Sequence, residues 1–215
     1  GIAGIVKDGI LPGFFGYETG QAAVGDAFDW IRRILGSPDF KILNDQAAAL
    51  PVGAEGVRCV DWFNGCRTPL MDGALTGSFT GLTLNHGPAH LFRAVLEASA
   101  CGLRWIVQTL REGGVPVRRF VATGGLPHHS PLFLQICADV LNERIVVPET
   151  KQGPAVGAAI LGALASGAFP DANSAIRAMA QAGSSRTVAP DPVAAGAFEL
   201  VYSDYLNFTK RMSHR

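Results

Sequence analysis

Residues 77–97 read GSFTGLTLNHGPAHLFRAVLE, and the order of residue types in this stretch decides the fold. Glycines at 77 and 81 free the backbone beside a short apolar run, Phe79, Leu82 and Leu84. Pro88 stands where the first residue of a helix would stand, because the missing N–H costs nothing there. Leu91, Val95 and Ala98 then recur at helical spacing. A strand, a turn and an amphipathic helix are predicted in that order, an arrangement open to many α/β proteins.

Working outward, the helix begun at Pro88 is predicted to run to about residue 112 and to stop at Gly113-Gly114. A strand over 120–122 enters Thr123-Gly124-Gly125, and Ser130-Pro131 open the next helix. A strand meeting paired glycines and a helix start brings bare backbone and free N–H groups near a ligand, a geometry that suits a nucleotide. A tight β–α turn has the same signature. A strand over 144–147 follows, closed by Pro148. The helix after it, PAVGAAILGALASG, has Gly157 and Gly162, whose helix-propensity cost predicts close approach to a neighbouring backbone.

Upstream, residues 1–20 read as turns around one strand near 14–17. A helix over 21–35 has Val24, Phe28, Ile31 and Leu35 inward and stops at Gly36. Asp39 reads as the N-cap of a second helix through residue 50, and residues 51–87 as strands and loops. Residues 1–182 form one predicted domain. The stretch 183–190 reads as a linker to a last helix on that domain, with Val193, Ala197, Leu200, Val201, Tyr205 and Phe208 inward. Strands alternating with helices over 77–166 argue an α/β fold with strands at least partly parallel.

Of the 215 residues 48% are hydrophobic and 17% charged, ample for a filled core, and 18 charges of each sign cancel. No basic run marks a nucleic-acid partner, and no membrane-length apolar run is present. Cys59, Cys66, Cys101 and Cys137 lack metal-ligand spacing and read as reduced thiols of a cytoplasmic protein. His86, His90, His128 and His129 have no carboxylate or Cys partner at useful spacing, so no metal site is assigned. Gly1 is not an initiator Met, which reads as a piece of a longer protein.

The pattern Gly-x-aromatic-x-Gly-Leu, then His90-Leu91 and Ala94-Val95-Leu96-Glu97, resembles the second signature of the FGGY family of carbohydrate kinases. VATGGLPHHSPLFLQ (121–135) resembles that family's adenosine-holding turn. The resemblance implies that Gly124 and Gly125 pack on the nucleotide, with His129 and Ser130 near its base and ribose; Asn is common in relatives where Ser130 stands. GYETGQAAVGDAFDWIRRIL (16–35) is similar to the segment whose helix start faces the ATP phosphates. Gly25 matches a position small enough to admit them, and Asp29 one that is often Gln. Asp29 otherwise pairs with Arg32 or Arg33. DWFNGCRTPLMD (61–72) is closest in form to the ribulokinases, with Arg67 tying its own loop or bracing the cleft.

What the resemblance implies is an actin-like, ribonuclease-H-like ATPase domain, α/β with added helices and incomplete at its N-terminal strands. It also implies transfer of the ATP γ-phosphoryl, with Mg²⁺, to the 5-hydroxyl of L-ribulose. Xylulose, ribitol or D-ribulose and glycerol kinases are the alternatives, as is a non-catalytic nucleotide-binding domain. The family's Asp base, its phosphate turn and its sugar-binding N-terminal domain have no counterpart in residues 1–215. No catalytic residue is therefore assigned, and this chain alone is expected to be inactive. Strands missing before residue 1 would leave an apolar edge at residues 14–17, from which association with the absent domain or a second copy is expected.

Overall fold

A computed structural model describes residues 2–180 and 183–213. The boundary expected at 182 lies outside them. Strands β1 (Gly4–Lys7) and β2 (Phe15–Glu18) form an antiparallel hairpin pairing Gly4 with Glu18. Helices α1 (Val24–Ile34) and α2 (Phe40–Ala48) follow, then strands β3 (Arg58–Val60) and β4 (Ser78–Thr80), an antiparallel pair. Helix α3 (Pro88–Glu112) leads to β5 (Phe120–Val121), the single turn α4 (Leu126–His129), α5 (Pro131–Leu141) and β6 (Ile145–Pro148). Helices α6 (Gly153–Ala165) and α7 (Ala172–Met179), strand β7 (Ser185–Val188) and helix α8 (Pro192–Ser213) complete the chain. In the third sheet β6 lies between β5, parallel to it, and β7, antiparallel.

Helix α3 is the hub. Every residue from Phe92 to Gly102 is buried, because α1, α2, α5, β3 and α8 all pack on it. A helix enclosed on all sides must be apolar or internally paired around its circumference. The charged pair on α3 meets that demand. Arg93 Nε donates to Glu97 Oε1 at 2.7 Å, and Arg93 Nη1 donates to the carbonyl of Ala47 at 3.0 Å. The Gly53 N–H donates to both Glu97 oxygens at 3.0 and 3.1 Å. One ion pair thus holds the end of α2 and the turn before β3 against the central helix. Burial pushes the Glu97 carboxyl up while Arg93 pulls it back.

The signature stretch folds as read, a strand, a turn and a helix in that order. Gly81 has φ +80°, and a Cβ there would sit 2.3 Å from the Gly56 carbonyl oxygen. Glycine is required both for conformation and for space. Leu82 and Leu84 are exposed. His90 Nδ1 accepts the Gly87 N–H at 3.1 Å and so caps the start of α3 from within.

Several other expectations need correction. The stretch 1–20 has two strands, the first of which lacks alternation because Ile5 and Val6 are both exposed. Residues 185–188 of the expected linker are β7, recruited by the open edge of β6. Helix α7 was missed, although Ala172, Ala175, Ile176 and Met179 recur at helical spacing behind its cap, Asp171, whose carboxylate accepts the Ser174 N–H. Gly157 and Gly162 approach nothing: a Cβ at either would meet no atom within 4 Å, and Ile160 is the buried residue of α6. Helix α8 turns Ala195, Phe198, Val201, Tyr202, Tyr205 and Thr209 inward. Val193, Ala197 and Leu200 face away, because α5, α3 and β3 cover only one side of the helix.

No helix among the described residues is long and apolar enough to cross a membrane. The four thiols are free and buried, and burial pushes each of them up in pKa.

Candidate functional site

After β5 the chain passes through Thr123 to Gly124, at φ +88°, and then winds directly into α4. The Gly125 carbonyl accepts the N–H groups of His128 and His129 at 3.0 and 3.1 Å. Leu126 accepts the Ser130 N–H at 3.0 Å, and α5 begins at once. This compact turn presents Leu126, His129 and Ser130 toward the first turns of α1, α2 and α3. Between them lies a cavity of about 370 Å³, lined by Gly25, Phe28, Phe40, Asn44, Phe92, Leu126, His129 and Ser130.

Its walls are apolar and its polar groups few, the usual composition of a small-molecule site. Phe28 stands edge-on to Phe133 at 5.0 Å and to Phe92 at 6.4 Å, which fixes the floor. The Arg32 guanidinium lies 5.1 Å from the centre of the Phe40 ring, steadying the aromatic wall on α2. Ser130 makes no side-chain cap on α5. Its hydroxyl instead donates to Asn44 Oδ1 at 3.3 Å, while Asn44 Nδ2 donates to the Phe40 carbonyl at 2.7 Å. A short polar edge therefore runs across an aromatic slot.

Three of the residues singled out in the sequence, Gly25, His129 and Ser130, meet in this cavity. Gly124 and Gly125 form the turn leading into it. Asp29 is not among the lining residues. Its carboxylate takes Arg32 Nη2 at 2.8 Å and Arg33 Nε at 3.1 Å, and these arginines hold it below the usual carboxylate range. Phe40 and Asn44 gave no sequence signal, since they line the site only because α2 packs against α3.

The 61–72 loop is fastened to the entry of α1. Thr68 N–H donates to the Gly20 carbonyl at 3.2 Å, the Gly20 N–H to Thr68 Oγ1 at 3.3 Å, and Arg67 pairs with Glu18. Arg67 thus ties its loop to the hairpin. Beneath it, buried Asp61 accepts Gln21 Nε2 at 2.9 Å and the Tyr205 hydroxyl at 3.0 Å. Gln21 Nε2 also donates to the Ser99 carbonyl at 2.8 Å. Burial without a cation pushes the Asp61 carboxyl up to about 6, against these hydrogen bonds.

A raised carboxyl favours the folded state while protonated, so this contribution is complete below the unfolded value and lost as pH rises through about 6. Integrated over that window, the parent should lose about 2 kcal/mol relative to Asp61→Asn between about pH 4.5 and 7. Urea unfolding of both proteins across that range tests this; parallel stability curves would show that Asp61 is charged at both ends.

The sheet, the Gly-Gly turn and the helices converging on one aromatic slot define an α/β domain of the actin-like ATPase class. Residues 1–166 match the C-terminal-domain model of the FGGY family of carbohydrate kinases, and the chain belongs to that family. It is 37% identical over 220 residues to a ribulokinase of Bacillus licheniformis, covering 95% of this chain and 40% of that protein. A Geobacillus thermodenitrificans ribulokinase is 40% identical over 221 residues, covering 95% and 39%. The fold superposes on the crystal structure of a xylulose kinase from Rhodospirillum rubrum with a TM-score of 0.79 at 31% identity, covering 95% of this chain and 42% of that one. The chain thus spans about 40% of the length of the curated relatives it matches.

Proposed function

We propose that this chain is the nucleotide-binding part of a cytoplasmic, ATP-dependent kinase that phosphorylates the 5-hydroxyl of L-ribulose. The observation that carries the proposal is the cavity in which Gly25 meets His129 and Ser130, more than a hundred residues away in sequence, beside the Gly124-Gly125 turn. The ribulokinase relatives supply the choice of sugar. The fold's likeness to a xylulose kinase supports a second reading, another polyol or ketose as acceptor.

In this reading Phe28, Phe40 and Leu126 enclose the base and strip it of water, and Asn44 and Ser130 offer hydrogen bonds at its edge. Gly25, with no atom within 4 Å of a Cβ position, leaves room for phosphates at the start of α1. No side chain caps that helix, so its first N–H groups and dipole favour anionic charge. Among the described residues no group of three or more His, Cys, Asp or Glu is placed to hold a metal. No role here runs through a metal ion. The carboxylate base and the sugar site belong to the part of the kinase that this chain does not include.

In the full-length protein, ADP release should depend on L-ribulose in preference to xylulose or glycerol. Gly125→Val, which adds bulk 3.5 Å from the His129 ring at the entry to the slot, should weaken ATP binding at least about tenfold, or 1.4 kcal/mol. Equal calorimetric affinity for variant and parent would displace the nucleotide from this cavity.

A further inference from the structure

Seven arginines of this protein, at 32, 33, 58, 67, 93, 104 and 111, have a carboxylate within 4.0 Å. Arg118, Arg119 and Arg144 have none, and among the described residues no side-chain hydrogen bond engages their guanidinium groups. These three converge on one groove of about 620 Å³, which also takes in Asn142, Glu143 and Thr187. The groove lies at the start of β5 and β6, the end of the sheet opposite the Gly124-Gly125 turn.

The strand register makes the clustering obligatory. Phe120 pairs with Ile145 in the parallel β5–β6 ladder, so Arg119 and Arg144, each one residue earlier, enter it side by side. Neighbouring strands are only about 4.8 Å apart. Asn142, in the left-handed conformation at φ 51°, turns the chain out of α5 and delivers Arg144 to that position. The one carboxylate of the groove, Glu143, is already taken by Arg111 at 2.7 Å. Three arginines thus share a concavity whose one carboxylate is paired with a fourth, a local excess of positive charge in a protein whose total charge is zero.

We propose that this groove is a second ligand site, for a compact polyanion carried on a small phosphorylated molecule. Guanidinium groups match phosphate oxygens two at a time, and Thr187 and Asn142 add neutral donors. The volume suits a small molecule, and the ligand would bind at the far end of the sheet from the nucleotide cavity.

Inorganic pyrophosphate is the probe. Titrated into the protein saturated with adenosine, it should shift the Nε–Hε resonances of Arg118, Arg119 and Arg144 saturably. The paired variant Arg119→Gln/Arg144→Gln, altered only at exposed positions, should lose about tenfold or more in affinity at the groove, and Arg119→Lys/Arg144→Lys less. Three results would overturn the proposal: resonances that do not move, shifts reproduced by sodium chloride at equal ionic strength, or a Gln variant that binds like the parent. Equal shifts with citrate would assign the groove to polycarboxylates and overturn the phosphate assignment.

Discussion

Glu97→Ala should destabilise this protein by about 3–5 kcal/mol, as expected when one member of a buried ion pair is removed. Arg93 would remain enclosed in the centre of α3 with its charge unbalanced. The Gly53 N–H, which donates to both Glu97 oxygens, would lose its acceptor in a place water does not reach. The loss would extend beyond the pair, because Arg93 also secures the end of α2 through the Ala47 carbonyl. Two walls of the aromatic slot, Phe40 and Asn44, stand on α2. Urea unfolding measures the cost. Replacing both partners together, Arg93→Met with Glu97→Leu, should recover much of it, since neither charge is then left alone. A single Glu97→Ala cost below about 1 kcal/mol would mean that water reaches the pair.

Gly81→Val should cost about 3 kcal/mol or more, from a β-branched residue forced to positive φ and a Cβ driven into the Gly56 carbonyl. Gly73 supplies the control. A Cβ there meets nothing within 4 Å and its φ is ordinary, so Gly73→Ala should be near neutral. Thermal unfolding of the two variants separates a requirement for glycine from its mere presence in a loop. Should they lose equal stability, the turn after β4 must relax in a way the 2.3 Å approach does not allow.

Sequence reasoning read well where local physics decided the structure. The ends of α3 follow from Pro88 and Gly113, and the start of α2 from the Asp39 carboxylate, which accepts the Lys41 N–H at 2.6 Å. The Gly-Gly turn and its following helix were legible for the same reason, although the extra turn α4 was not. Errors came where another element decides. Residues 185–188 form a strand because β6 offers an edge, and nothing within Ser-Arg-Thr-Val announces that edge. Gly157 and Gly162 suggested tight packing, yet α6 has no close neighbour on their side. In the cavity, Gly25, His129 and Ser130 stood out through their motifs. Phe40 and Asn44 carry no motif and line it only through the packing of α2 on α3.

The same packing leaves the chain with two kinetic regimes. Helices α6 and α7 rest chiefly on each other, and Ile160 and Ala175 are the side chains they bury. Little apolar contact is lost when this pair detaches, so its amides open to deuterium by local fluctuation. Those of α3 must wait for the whole molecule to unfold. A change of sequence in 153–179 will accordingly alter exchange rates there and leave the slowest amides untouched, while a change at Arg93 or Glu97 will accelerate them all.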